Sequence, residues 1–190
     1  MNHFYLKVSR MKVFLAKSFM VIAVLAMAGA SQAAGGRDPH THFFNDTFGD
    51  FTEELALARE QGKQGILLFF EMDECPFCHR MKQTVLNQPE VQDWYRENFL
   101  IFSVDVEGDT EITDFEGNAM RSKDFAEKKN RVRATPVFAF YDLDGNRVVR
   151  YTGATSGVDE FLWLGEFVAG GHYKDTNFVR YKRQKRNQSE

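Results

Sequence analysis

The only two cysteines of the chain, Cys75 and Cys78, stand directly after the apolar run Ile66-Leu67-Leu68-Phe69-Phe70. An unbroken run of this length predicts a strand covered on both faces. Pro76, inside Cys75-Pro76-Phe77-Cys78, suits the first turn of a helix, where its missing N–H costs nothing. A buried strand that ends in a Cys-x-x-Cys opening a helix confines the chain to layered α/β arrangements and puts two thiols at a helix N-terminus. So short a spacing closes almost no loop, so a bond across it removes little entropy from the unfolded chain. The pair therefore reads as chemical rather than structural. His79 keeps two rivals open. Cys-x-x-Cys-His also marks c-type haem attachment, and two thiolates with an imidazole could hold copper or zinc.

The first residues are not read as fold. Lys12 and Lys17 precede the apolar stretch Phe19–Ala28, which is followed by the small residues Ala30-Ser31-Gln32-Ala33. A basic start, a short apolar segment and a small-x-small end describe a secretory signal peptide, with cleavage expected after Ala33. The stretch is shorter than the ~20 apolar residues of a spanning helix. Export implies a periplasmic or otherwise oxidising location, where paired cysteines normally form a disulfide. Removing residues 1–33 takes away four basic and no acidic residues, leaving 20 Lys+Arg against 27 Asp+Glu, a net charge of −7. That balance argues against a nucleic-acid partner and leaves the export signal as the membrane contact. The one basic cluster, Arg180 to Arg186, reads as a frayed, solvated C-terminus, the alternative being a contact with an acidic partner or a membrane surface. Apolar residues make up 43% of the chain and Phe 19 positions, enough for a buried core.

Four segments follow from this reading: a signal peptide (1–33), a linker or N-terminal extension (34–49) that becomes ordered near Phe43, a domain (50–170) and a basic tail (171–190). Within the domain, Thr52–Glu60 has helical composition with Gly62 as its stop, and a helix is expected from the Cys-x-x-Cys to about Leu86. Another starts at Pro89 and runs to Asn98. Phe99–Val106 is a second buried strand. Thr110–Met120 reads as a small hairpin turning at Glu116-Gly117-Asn118, and Ser122 as the cap of a helix to Lys129. Val137–Tyr141 and Arg147–Tyr151 flank a turn containing Asp144-Gly145 and predict an antiparallel pair. A last helix spans about Val158–Val168, ending before Gly170-Gly171.

This order, the strand-CxxC-helix, the Ala134-Thr135-Pro136 before a strand and the Gly153-Ala154-Thr155-Ser156 before the last helix together resemble the thioredoxin-like superfamily over roughly residues 50–170. The runs LLFFEMDECPFCHRMK, VDVEGDTEITDFEGNAM and RVRATPVFAFYDLDGN look like its SoxW-like, exported thioredoxin-related group. The resemblance implies an α/β thioredoxin-like fold: a central mixed β-sheet flanked by helices on both faces, with a small β-hairpin insertion. It also implies a cis bond before Pro136, with Thr135 and Pro136 positioning the substrate backbone beside Cys75. The implied activity is that of a thiol–disulfide oxidoreductase, favoured as a reductase, acting on protein disulfides and re-reduced by a membrane electron donor of the DsbD/CcdA type, without a cofactor or a metal. Two positions depart from thioredoxin: Glu74 stands where a Trp precedes the first cysteine, and Phe69 where a buried Asp moves protons. Glu71 is the nearest substitute for that Asp; its bland alternative is a solvated carboxylate at a strand end.

The chemistry follows from the thiolate, the species that attacks a disulfide; a helix N-terminus lowers a thiol's pKa from about 8.5. Cys75 is expected as the exposed nucleophile and Cys78, one turn further, as the buried resolving thiol. Asp73 and Glu74 oppose a thiolate at Cys75, while His79, Arg80 and Lys82 favour it, His79 lying four residues on and able to share its face. His79 is otherwise a surface imidazole. Against haem stand the strand entering the motif and the later Thr-Pro. Against a structural zinc site stands the need for four ligands, with His40, His42 and His172 read as surface residues.

Overall fold

The computed structural model describes residues 35–189. The expected signal peptide lies outside them. Helix α1 (Pro39–His42) and helix α2 (Phe51–Glu60) precede strand β1 (Gly65–Glu71), which leads into α3 (Pro76–Thr84), α4 (Pro89–Asn98) and β2 (Phe99–Asp105). A short hairpin, β3 (Glu111–Thr113) and β4 (Ala119–Arg121), is followed by α5 (Ser122–Asp124), which continues as a π-helical turn, Phe125–Lys129. Then come β5 (Val137–Tyr141), β6 (Arg147–Thr152), α6 (Val158–Ala169) and α7 (Phe178–Ser189). The main sheet has the order β2-β1-β5-β6, with β1 and β2 parallel and the other pairs antiparallel. This is the expected mixed sheet with a separate hairpin.

The apolar runs divide by alternation, because successive strand side chains point to opposite faces. Leu67, Phe69, Phe99, Ile101, Phe138 and Phe140 join one core with Cys75, Cys78 and Met81, beneath α3, α4 and α6. Ile66, Leu68, Phe70, Leu100, Phe102, Val137 and Ala139 join the other, with Phe51, Leu55 and Phe125. Phe rings recur where large gaps need filling; Phe138 lies 5.0 Å from Phe69 and 4.9 Å from Phe161, centroid to centroid.

The hairpin insertion is fastened by a repeated turn. Asp114-Phe115-Glu116-Gly117-Asn118 and Asp142-Leu143-Asp144-Gly145-Asn146 fold alike. In each, the Asp Oδ1 accepts the N–H groups two and four residues on, and the Gly has positive φ (+85° and +79°). Phe115 at one tip stacks on Tyr141 at 4.2 Å and on Phe51 at 5.2 Å, tying the insertion to the main sheet.

Three local expectations need correction. Ser122 does not cap a helix: it is the first helical residue, and its hydroxyl donates to the Gly108 carbonyl. The segment read as a linker is held from Arg37 onward. Arg37 bonds the Asn87 carbonyl and Asp93, and Asn45 pairs through both backbone and side chain with Ile101 on the open edge of β2, an edge that would otherwise invite another strand. The basic tail is not frayed, since it forms α7 and packs on α6 through Phe167, Phe178 and Tyr181.

Gly165 lets α4 and α6 approach. A Cβ there would lie 2.3 Å from Cζ3 of Trp94 and 2.9 Å from Cζ of Tyr95. Gly165→Ala is expected to destabilise the protein by about 1–3 kcal/mol through overpacking, outweighing the ~1 kcal/mol gained in helix propensity. Urea unfolding measures this, and a variant at least as stable as the parent would show that the two rings yield freely.

Candidate active site

Strand β1 delivers the chain to the site. Its register against β2 and β5 is continuous, so Glu71 ends the strand at a set height beside Asp105, and the chain then turns through Met72–Glu74 into α3. Cys75 is the N-cap of α3 with extended backbone, Pro76 follows as its first helical residue, and the Cys75 Sγ accepts the Cys78 N–H at 3.1 Å. A sulfur in that position faces N–H groups the helix cannot satisfy internally, which is the electrostatic setting that favours a thiolate. The two cysteines are joined by a disulfide with a Cα–Cα distance of 5.2 Å.

The exposed nucleophile expected at Cys75 is not found in this oxidised state. Cys75 is 2% exposed and Cys78 1%. Both belong to the apolar cluster of α3 and the sheet. The exposed members of the motif are Pro76 and Phe77, the latter at 57%.

The Thr135–Pro136 bond is cis. The Pro136 carbonyl accepts the Gly153 N–H at 2.8 Å. Two residues on, the buried Thr155 places its hydroxyl 3.7 Å from the Met81 sulfur, one turn beyond Cys78. The three stretches that carry the resemblance, around residues 75, 136 and 155, thus meet. The sequence marks Thr155 only as part of the Gly153–Ser156 stretch and gives no sign of its contact with Met81, which lies three residues from Cys78 and so on its face.

Glu71 is neither free in solvent nor bonded to a sulfur. Its carboxylate is paired with Lys82 at 2.6 Å and accepts from the Ser103 hydroxyl at 2.6 Å, both charged side chains being about 15% exposed. Lys82 sits at i+4 from Cys78 and Ser103 on the neighbouring strand, so the partnership needed the tertiary fold. Phe69, at the position of thioredoxin's buried Asp, is fully buried against Phe44 and Phe138. The His79 ring reaches back, its Nε2 lying 2.7 Å from the Asp73 carbonyl oxygen, and so pins the loop that enters the motif. The two sulfurs hold each other and the His79 ring nitrogen holds the backbone. Among the described residues no group of three His, Cys, Asp or Glu side chains is arranged to hold a metal ion. His172 stacks on Tyr181.

A groove beside the site is lined by Met72, three residues before Cys75, and Thr135, one before the cis proline, among others including Val106, Ala126, Glu127 and Arg133. The Thr135 hydroxyl oxygen is buried without a hydrogen-bond partner among the described residues.

Residues 51–169 match the family model of the thioredoxin-like domain. No curated protein matches the chain. Among solved structures, a thioredoxin-fold protein from Helicobacter pylori superposes with a TM-score of 0.60 at 22% identity, covering 77% of this chain and 94% of that one. The oxidoreductase DsbH gives 0.51 at 17% identity, covering 76% and 97%. A thioredoxin from Thermus thermophilus gives 0.49 at 27% identity, covering 63% and 83%.

Proposed function

This chain belongs to the thioredoxin-like domain family, and from that premise we propose that it is an exported thiol–disulfide oxidoreductase acting chiefly as a reductase of protein disulfides. The observation that carries the reading is the Cys75 sulfur at the N-cap of α3, bonded to Cys78 and accepting its N–H. The leader-like composition of residues 1–33 supports export to the periplasm, and the three runs quoted above support a place in the SoxW-like group.

In the reductive direction the cycle starts from the dithiol. The Cys75 thiolate attacks one sulfur of the partner's disulfide, forming a mixed disulfide and releasing the other partner sulfur as a thiolate. Cys78, deprotonated, attacks the Cys75 sulfur; the Cys75–partner bond breaks, and the partner leaves with both thiols. Two electrons have then passed to the partner, and the enzyme holds the Cys75–Cys78 disulfide seen here. A second dithiol, carried by a membrane donor of the DsbD/CcdA type, returns two electrons by the same exchange. Thr135 and Pro136 position the partner's backbone next to Cys75, with the groove beyond Thr135 taking the flanking residues. His79 tunes the site by holding Asp73, and Glu71 with Lys82 is the nearest proton-handling pair.

Cys78→Ser removes the resolving step. Isolated from the exported compartment, the variant should begin at Ala34 and carry partners bound through Cys75 that a reductant releases. Recovery with no trapped partner would count against the catalytic reading, and a chain retaining residues 1–33 against export.

A further inference from the structure

Helix α7 lies beyond the stretch that matches the family and divides its basic residues between two faces. Its inner face is built. Phe178 packs 5.8 Å from Tyr151 and 5.6 Å from Phe167, Tyr181 packs 5.3 Å from Phe167, Lys182 pairs with Glu160 at 2.7 Å, and Lys185 pairs with Glu166 at 2.6 Å. Its outer side carries Arg180, Arg183 and Arg186, all exposed, and among the described residues no guanidinium of the three makes a hydrogen bond or ion pair. The three recur every third residue and span about 9 Å of helix. Val179, 63% exposed, stands beside them.

Charge is split along the chain in the same sense. Residues 171–190 hold six Lys+Arg and two Asp+Glu, a net +4, whereas residues 34–170 hold 14 and 25, a net −11. We infer that the outer face of α7 is a docking surface for an anionic phospholipid membrane. Such a surface attracts the helix and repels the acidic body, so the protein binds it in one orientation. Guanidiniums pair with lipid phosphates, and an exposed valine flanking them meets the apolar layer just beneath, which an acidic protein face would not offer. The surface is held rigidly by the aromatic and ionic contacts of the inner face, so docking does not have to order a loose tail first. Its usefulness rests on the proposed function, in which the electron donor sits in the membrane; the binding itself does not depend on the thiols.

The test uses residues 34–190, which contain every described element and both apolar cores, in co-sedimentation with vesicles of phosphatidylcholine alone or with about one third phosphatidylglycerol. Binding is expected to the anionic vesicles only and to be lost in about 0.5 M salt, where screening is short-ranged. R180Q/R183Q/R186Q should weaken it by about 100-fold, whereas R180K/R183K/R186K should retain it within a few-fold; both should keep reductase activity on a soluble disulfide. Equal binding to both vesicles, no binding to either, or a glutamine variant that binds like the parent would overturn the proposal. Capture of an acidic protein without vesicle binding would overturn it in favour of a protein partner. Loss of redox activity with vesicle binding intact would overturn the proposed function and leave this surface standing.

Discussion

Cys75→Ser will lower disulfide reduction by at least about 10³-fold, the scale on which losing a nucleophile acts, while leaving the fold in place. The reason is geometric. Cys75 is the N-cap of α3, and its sulfur already accepts the Cys78 N–H. Serine is among the best N-cap residues, so its hydroxyl takes over that bond and the helix is kept. What disappears is the polarisable anion, which a hydroxyl cannot supply at neutral pH. Cys75→Ala removes both and should be about 1 kcal/mol less stable than Cys75→Ser. Comparing the two variants by insulin-type disulfide reduction and by urea unfolding separates chemistry from capping. Reduction by Cys75→Ser near the parental rate would mean that Cys75 is not the attacking group.

The second large effect is expected at low pH, through Glu160. This carboxylate is nearly buried, and burial alone would raise its pKa. Hydrogen bonds from Lys182 and from the Ser156 side chain and backbone outweigh that and bring it to about 2 from 4.5. Tyr151, which also donates to Glu160, is pushed up to about 12 by burial and by that neighbouring charge. A carboxyl whose pKa is lower in the folded state stabilises the fold above its unfolded value and loses that contribution as pH falls through the folded value. The window is therefore from about 4.5 down to about 2, and the contribution at stake is up to about 3 kcal/mol at 1.36 kcal/mol per unit. Asp50, Asp109, Asp114 and Asp124 are also lowered, so the parent will lose stability in acid for several reasons. The difference from Glu160→Gln isolates this one: the variant should be less stable at neutral pH and should lose less on acidification. Parallel pH profiles for the two proteins would remove Glu160 from the account. The consequence extends to the site, because Glu160 joins α7 to Ser156, and that loop carries Gly153 and Thr155 against Pro136 and Met81.

Much of the site is legible in the sequence. Cys75 and Cys78 announced themselves by following Ile66–Phe70, and Pro136 by standing between Thr135 and a run of five apolar residues. The partners of Glu71 were not legible. Lys82 is eleven residues away and Ser103 thirty-two, and only the parallel pairing of β1 with β2 brings the latter alongside. Cys75 was misjudged for a related reason: a position in the motif says which thiol lies nearer the helix start, but exposure depends on what the disulfide and the sheet press it against. The tail was misread because Phe178, Val179 and Tyr181 are few among many cations, and that composition reads as solvated.

From the sequence alone came the strand–cysteine–helix order, the mixed sheet and its hairpin insertion, because these rest on alternation, turn residues and proline, which act over a few neighbours. Tertiary structure alone decided the burial of Cys75, the Glu71–Lys82–Ser103 cluster and the docking of α7 through Glu160 and Glu166. Those outcomes depend on which faces meet across the fold, and the energy of a buried charge or sulfur is set by partners far away along the chain.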